Sequence, residues 1–468
     1  MKLNKMKLLV PFAFLLFFAV SCSDDDNGIV MEEEMEEMEE EEMEEEEEQS
    51  SIVELALATA DLSILVDALT EAELVETLQG DGPFTVFAPT NAAFEAFLSD
   101  NGFASLDDIP EDVLEQVLLN HVVAGNVMST DLSTTYISSL STAGVDDRNI
   151  SLYVDISNGV TINGSAVTTA DIEASNGVVH VVDQVIGLPN IVDHAVYNPA
   201  LSELVGALTM DGNTTFTDLL ADPETMFTVL APVNDAFTAF DNPNGNDLDA
   251  ILSNHVIAGA SLAAADLSNG YANTAATNGD GDNLSIYINV DDGVQFNGQS
   301  SVAISDVVAT NGIIHAVDAV IDLPTVVTFA VADSENFSSL VGALTSEGQP
   351  DFVSVLSSTT DNAPFTVFAP INSAFASLEE VPEGEALTAV LNHHVIAEAN
   401  IVSGDLSDGL VSPATLEGDT LTFNEADGTF TITDGAGNMG TGIVKADVQA
   451  INGVIHAVDQ VLIPSTED

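Results

Sequence analysis

The segment FTVFAPTNAAF (Phe84 to Phe94) and the later NGVVHVVDQVIGLP (Asn176 to Pro189) recur as an ordered pair at two further places in the chain. FTVLAPVNDAF (Phe227 to Phe237) precedes NGIIHAVDAVIDLP (Asn311 to Pro324), and FTVFAPINSAF (Phe365 to Phe375) precedes NGVIHAVDQVLIP (Asn452 to Pro464). Eight of the 11 positions of the first segment are identical in all three copies, whose starts at 84, 227 and 365 lie 143 and 138 residues apart. Solenoid repeats run to roughly 20–50 residues and share one continuous core. The longer spacing here leaves each copy enough chain to bury a core of its own. The 468 residues therefore divide into three domains of ordinary size.

The beginning of the chain is different in kind. Lys2, Lys5 and Lys7 precede an apolar run from Leu8 to Val20, too short to cross a hydrocarbon layer of about 30 Å as a helix. The charged start, the short apolar run and the small residues Ala19-Val20-Ser21 before Cys22 predict a cleaved secretory signal over residues 1–21. The arrangement resembles a bacterial lipoprotein signal, with Ala19 where leucine is favoured, and that resemblance makes Cys22 the candidate lipidation site. Ser23-Asp24-Asp25-Asp26 resembles the acidic export signal of Bacteroidetes surface lipoproteins, which implies display on the outer face of the outer membrane. Cys22 is the only cysteine, so no disulfide can form within the chain. From Met31 to Glu48, 14 of 18 residues are glutamate, and like charges four apart oppose a helix. Residues 22–50 are expected to form an extended acidic tether.

Charge excludes several functions. The chain carries 77 acidic and five basic residues, formally −72; loss of the three signal lysines would leave Arg148 and Lys445 and a charge of −75. Nucleic acids and anionic lipid surfaces are both bound by clustered arginine and lysine, which two isolated cations cannot supply. Any membrane contact is therefore expected only through lipid on Cys22. Self-repulsion on this scale, screened over a Debye length of about 8 Å at physiological salt, points to a saline habitat. No cofactor is expected. Weak calcium binding by surface carboxylates stays open, although Asp280-Gly281-Asp282-Asn283 lacks the glutamate at position twelve of an EF-hand loop.

Each repeat reads as helices followed by strands, an α+β domain with N-terminal helices and a mostly antiparallel sheet. In the first, Asp61 is expected to cap a helix whose apolar face is Leu62, Leu65, Val66 and Leu69. Phe84 to Ala88 reads as a strand ending at Pro89, after which Asn91 is expected to cap a short helix carrying Phe94 and Phe97. Pro110 opens another helix with Val113, Leu114, Val117 and Leu118 on its buried side. Asn158-Gly159, Asp292-Gly293 and Asp427-Gly428 predict type I′ hairpins. The junctions Leu188-Pro189-Asn190 and Leu323-Pro324-Thr325 are short, which predicts semi-rigid coupling between domains.

The paired segments resemble the two boxes of the fasciclin-like domain, and the resemblance covers about residues 51–464. The family's intervening Tyr-His signature appears as Asn120-His121, Asn254-His255 and His393-His394, with the histidine kept and the tyrosine absent. The implied domains are 51–190, 191–324 and 325–464. The resemblance implies a secreted or surface adhesion module that meets extracellular protein or polysaccharide. In animal members adhesion is associated with the Tyr-His region and with an Asp-Ile pair before the second box. The candidate adhesion-associated positions here are His121, His255, His394, Asp171, Ile172, Asp306 and Asp447. Integrin binding is not carried over, because the tyrosine is missing. Variation beside the kept histidines, at Asn120, Asn254 and His393, is where specificity is expected.

The same motifs have a structural reading. Phe84, Pro89 and Asn91 with their counterparts Phe227, Pro232, Asn234, Phe365, Pro370 and Asn372 are expected to make a strand-to-helix turn. His180, His315 and His456, recurring in separate domains, are expected to satisfy buried hydrogen bonds rather than hold metal. His180 and Asp183, three apart on a strand, do not imply a catalytic pair. His194 has no counterpart in the other repeats. No G-x-S-x-G elbow or H-E-x-x-H motif is present, and no catalytic residue is assigned. The expected function is a lipid-anchored surface adhesion or ligand-binding array, with self-association open. The alternatives are a structural spacer or matrix component and, behind it, a polysaccharide-active enzyme.

Overall fold

The computed structural model describes residues 49–212 and 214–465; the predicted signal, Cys22 and nearly all of the tether lie outside them. Residues from Gln49 onward form one compact unit. In the first domain, helices α1 (Ile52–Ala58), α2 (Ser63–Glu71) and α3 (Val75–Leu78) lead into strand β1 (Phe84–Pro89). Helices α4 (Asn91–Asn101) and α5 (Glu111–Leu119) follow, then strands β2 (Val122–Ala124), β3 (Thr135–Ser138), β4 (Ser151–Asp155), β5 (Thr161–Ile162), β6 (Ser165–Ala174) and β7 (Gly177–Val182). The sheet order is β2-β1-β7-β6-β5-β4-β3. The second domain repeats this order in seven strands and the third has six. Among the described residues no helix is long and apolar enough to cross a membrane.

The two boxes are neighbours in space. β1 and β7 form the one parallel pair of an otherwise antiparallel sheet, running from Phe84 opposite Gly177 to Pro89 opposite Val182. Side chains alternate along β1 with period two. Val86 and Ala88 face the helices, in a core shared with Leu65, Leu69, Phe94, Leu114 and Val179. Phe87 faces the opposite way, into a second core with Leu152, Val154, Ile162 and Val182. Both box strands are buried on both faces, which explains their nearly continuous apolar sequence.

Parallel pairing at the start of β7 demands glycine. A Cβ at Gly177 would lie 1.9 Å from the Phe84 carbonyl oxygen, and the equivalents at Gly312 and Gly453 would lie 2.2 and 2.1 Å from Phe227 and Phe365. The asparagine before each glycine is a tie between elements. Asn176 Oδ1 accepts the Ile52 N–H (3.0 Å) at the start of α1, and its Nδ2 donates to the carbonyls of Leu78 (2.7 Å), which ends α3, and Gly80 (3.0 Å), just past it. Asn311 and Asn452 make the same three bonds in their domains.

Asn91 also departs from its expected role. Thr90 caps α4, accepting from Ala93 N–H, while Asn91 accepts from Ile64 N–H (2.9 Å) and donates to the Ala60 carbonyl. It caps α2 from a distance of 27 residues, so Asp61 does not; the residue flanking α2 is Leu62, which has no side-chain cap of its own. Asn234 and Asn372 do the same for Glu203 and Ser339 N–H. On α5 the buried side is Leu114, Val117 and Leu118, whereas Val113 is exposed because it falls on the outer face. A type I′ turn needs positive φ at both central residues. Only Asp427-Gly428 meets that, at 54° and 77°; in the other two domains only the glycine is positive and the loop is wider.

Replacing Asn176 by alanine strands one amide donor and two carbonyls in a buried setting. A loss of about 3 kcal/mol is expected, read from urea unfolding of the first domain within the full chain. A change below about 0.5 kcal/mol would show the tie to be unimportant.

Candidate functional site

The candidate residues fall at three places in each domain. At the end of α5, His121 is buried; its Nδ1–H donates to the Val117 carbonyl (2.7 Å) and its Nε2 accepts the Ile186 N–H (2.8 Å). His255 and His394 repeat both bonds, to Ile251 and Ile321 and to Val390 and Leu462. Each histidine joins a helix end to the C-terminal part of the second box. Burial pushes all three imidazoles down to about 4, so they stay neutral. With 1–3 % of their surface exposed, they cannot touch a partner directly.

The residues beside them are buried as well, which corrects the expectation of specificity there. Asn120 donates to the Gly187 carbonyl (2.8 Å), and Asn254 donates to Asp322 and accepts from Thr274. Both bonds close on the C-terminal end of the second box, so the variation is repacking inside the domain. In the third domain His393 is buried too, but it bonds chain ahead of the second box. Its Nε2 accepts the Gly435 N–H (3.0 Å), which leaves the proton on Nδ1, 3.5 Å from the Glu417 carboxylate. Asp419 completes a cluster that the sequence spacing did not reveal. A cation would need a lone pair where Nδ1 carries that proton, so the cluster is arranged as a hydrogen-bonded pair and not as a metal centre.

The second place is a double bulge in β6. Residues 167–172 of β6 face residues 182–179 of β7, and Asp171 takes the extra turn at φ 61°; Asp306 and Asp447 do so at 59°. The Asp171 N–H donates to His180 Nδ1 (3.2 Å), and His180 Nε2–H donates to the Val127 carbonyl (2.9 Å). His315 and His456 have the same partners in their domains. Because Nδ1 already accepts a backbone N–H, the carboxylate 4.0 Å away receives no proton from the ring. The Asp171 carboxylate instead accepts from the Ser129 N–H and hydroxyl, which hold it below the usual carboxylate range. Asp306 and Asp447 accept from Ala264 and Ser403. Ile172 packs against the helical core. The aspartates fix the loop after the second strand of each domain.

The third place was not legible from motifs: the junctions between domains. Val308 N–H donates to Ser151 Oγ (2.9 Å), and one domain later Gln449 N–H donates to Ser285 Oγ (3.0 Å). Thr310 N–H reaches the Pro189 carbonyl, and Ile451 N–H the Pro324 carbonyl. Tyrosine pairs stand at both junctions: Tyr136 on Tyr153 and Tyr271 on Tyr287, each with centroids 5.0 Å apart. Here His194 finds its explanation. It occupies the place of Phe329, edge-on to Tyr136, with Nε2 on the Val308 carbonyl (3.1 Å), and burial lowers it to about 4. The exposed Arg148–Asp266 ion pair (2.9 Å) adds little.

These features coincide with a known domain. The family model for the fasciclin domain matches residues 60–189, 199–324 and 335–464. The chain belongs to the fasciclin domain family. It is similar to protein sll1483 of Synechocystis, 41% identical over 137 residues, which is 29% of this chain and 72% of that protein. Human periostin is 27% identical over 89% of this chain, and rabbit transforming growth factor-beta-induced protein ig-h3 is 28% identical over 85%. The chain spans about half the length of those two relatives, 48% and 55%. A solved FAS1 domain pair from the insect cell adhesion molecule fasciclin I matches 56% of the chain at 20% identity with a TM-score of 0.37.

The neutral histidines make a prediction about acid. An unfolded chain protonates them below about 6.5 while the fold holds them neutral to about 4, so stability is full above pH 6.5 and falls as pH drops toward 4. Each accounts for about 3 kcal/mol across that window. The second domain, holding both His194 and His255, should lose protection first in hydrogen exchange between pH 6.5 and 4.5. Uniform protection across that range would refute the assignment.

Proposed function

We propose that the chain is a lipid-anchored surface protein that binds extracellular protein or polysaccharide through three fasciclin domains acting together. The observation that carries this reading is the tandem of three complete fasciclin domains whose neighbours are bonded at equivalent atoms. Fixed spacing lets weak sites engage an extended partner together, which raises avidity well above any single affinity. In this reading the bulge aspartates Asp171, Asp306 and Asp447 act by holding the neighbouring loop, and the buried histidines by holding the helix end.

Retention of the full chain on cells and on surfaces coated with glycan or matrix protein tests this against retention of the third domain alone. At least a tenfold advantage for the full chain is expected; equal, negligible retention of both would favour a spacer without a specific ligand. The anchor is tested separately. Cys22→Ser should move the protein from the membrane fraction to the soluble one, and unchanged fractionation would remove the lipid from the account.

A further inference from the structure

The second junction holds a cleft of about 520 Å³ that the first box, the second box and the histidines do not explain. Its walls come from both domains: Tyr271 and Tyr287 from the second, and Asp333, Glu335, Asn336 and Lys445 from the third. The volume falls within the range of roughly 300–1,000 Å³ typical of small-ligand sites.

Some of these groups are already committed. Asp333 is 1 % exposed, accepts the Tyr271 hydroxyl (2.9 Å) and caps the helix Ser334–Leu344 through Asn336 N–H. It locks the tyrosine wall to the helix start. Others are free. Lys445 is the only lysine among the described residues and makes no ion pair there, in a chain with 77 carboxylates. Glu335 is exposed on the same cleft, and its carboxylate accepts no hydrogen bond among the described residues. The cleft thus offers one ammonium, one carboxylate, an amide oxygen and the half-buried ring of Tyr271, with Tyr287 buried behind it.

We propose that this cleft binds a neutral, hydroxyl-rich saccharide. A hydroxyl is the common group that can accept from the ammonium and donate to the carboxylate at once, and the C–H face of a sugar ring suits the Tyr271 ring. A polyanion meets the field of the whole chain, and one lysine opposite one glutamate gives it no net attraction. The repeat supplies its own comparison. At the first junction the strand position of Lys445 is Ile304, the residue matching Glu335 is Pro199, and Asn198 stands for Asp333. The first junction therefore keeps the tyrosines but lacks both charges, so one saccharide is bound per chain.

The inference rests on the adhesion reading and narrows it to one site. The full chain is titrated calorimetrically with neutral glucan, mannan and xylan oligosaccharides of three to five sugars, and with uronate oligomers of matched length. At least one neutral oligosaccharide should bind with a stoichiometry of one, and Lys445→Ile and Glu335→Gln should each weaken it at least tenfold. Both residues are exposed, so the melting temperature should not change. Ile304→Ala, at the first junction, should leave binding as it is. Three results would overturn the proposal: no neutral oligosaccharide bound, preference for uronates, or binding indifferent to both substitutions. Retention on cells is measured on the same variants. Retention that persists in Lys445→Ile without saccharide binding sinks the cleft and spares adhesion, whereas loss of both activities in the unaltered chain sinks both.

Discussion

Everything in each domain hangs on one parallel pairing, box one beside box two, residue for residue from Phe84 and Gly177 to Pro89 and Val182. Parallel strands need a long crossover, and here the crossover is most of the domain. Two helices, the bulged strand and the outer hairpin all lie between the partners in sequence. Closing such a loop costs chain entropy before any contact offsets it. The pairing is held by contacts on both faces, since Phe87 and Val86 point into different cores. The buried polar side chains around it then follow from accounting. Helix ends and strand ends that meet the pair have N–H and carbonyl groups with no water to serve them, and Asn91, Asn176, His121 and His180 supply the partners.

This explains why the most repeated residues are poor candidates for touching a ligand. Asn176, His121 and His180 are almost fully buried, and each bridges elements far apart in sequence. Their imidazoles use opposite tautomers, Nδ1–H in His121 and Nε2–H in His180, set in each case by which ring atom meets a backbone N–H. At the junctions residues from two domains meet and the copies differ in charge, with Lys445 and Glu335 at the second where Ile304 and Pro199 stand at the first.

Much of the fold was legible before any coordinates, for a physical reason: the boxes are buried on both faces, so their apolar runs survive in every copy. Three domains, helices before strands and the short junctions could all be read. The capping of α2 could not. Sequence rules search for a cap next to its helix, and Asn91 works across 27 residues. The hairpin signal Asn-Gly misled for a related reason, since the bridge geometry after Asp155 admits a wider loop that the dipeptide alone does not exclude. At the junctions, Ser151 and Ser285 carry no motif, and the tyrosine pairs lie 17 and 16 residues apart along the chain. Their meaning appears only when the next domain docks. In the third domain Val411 and Thr422 stand at the register positions of Tyr271 and Tyr287.

The central claim is that the box pair is the last part of each domain to open. Native-state hydrogen exchange on the full chain, followed by peptide, tests it most directly. The account predicts that the amides of Phe84–Pro89, Phe227–Pro232 and Phe365–Pro370 and of their partner strands exchange slowest in their own domains, at the rate of global unfolding. Faster exchange in these segments than in the outer hairpin strands would contradict it.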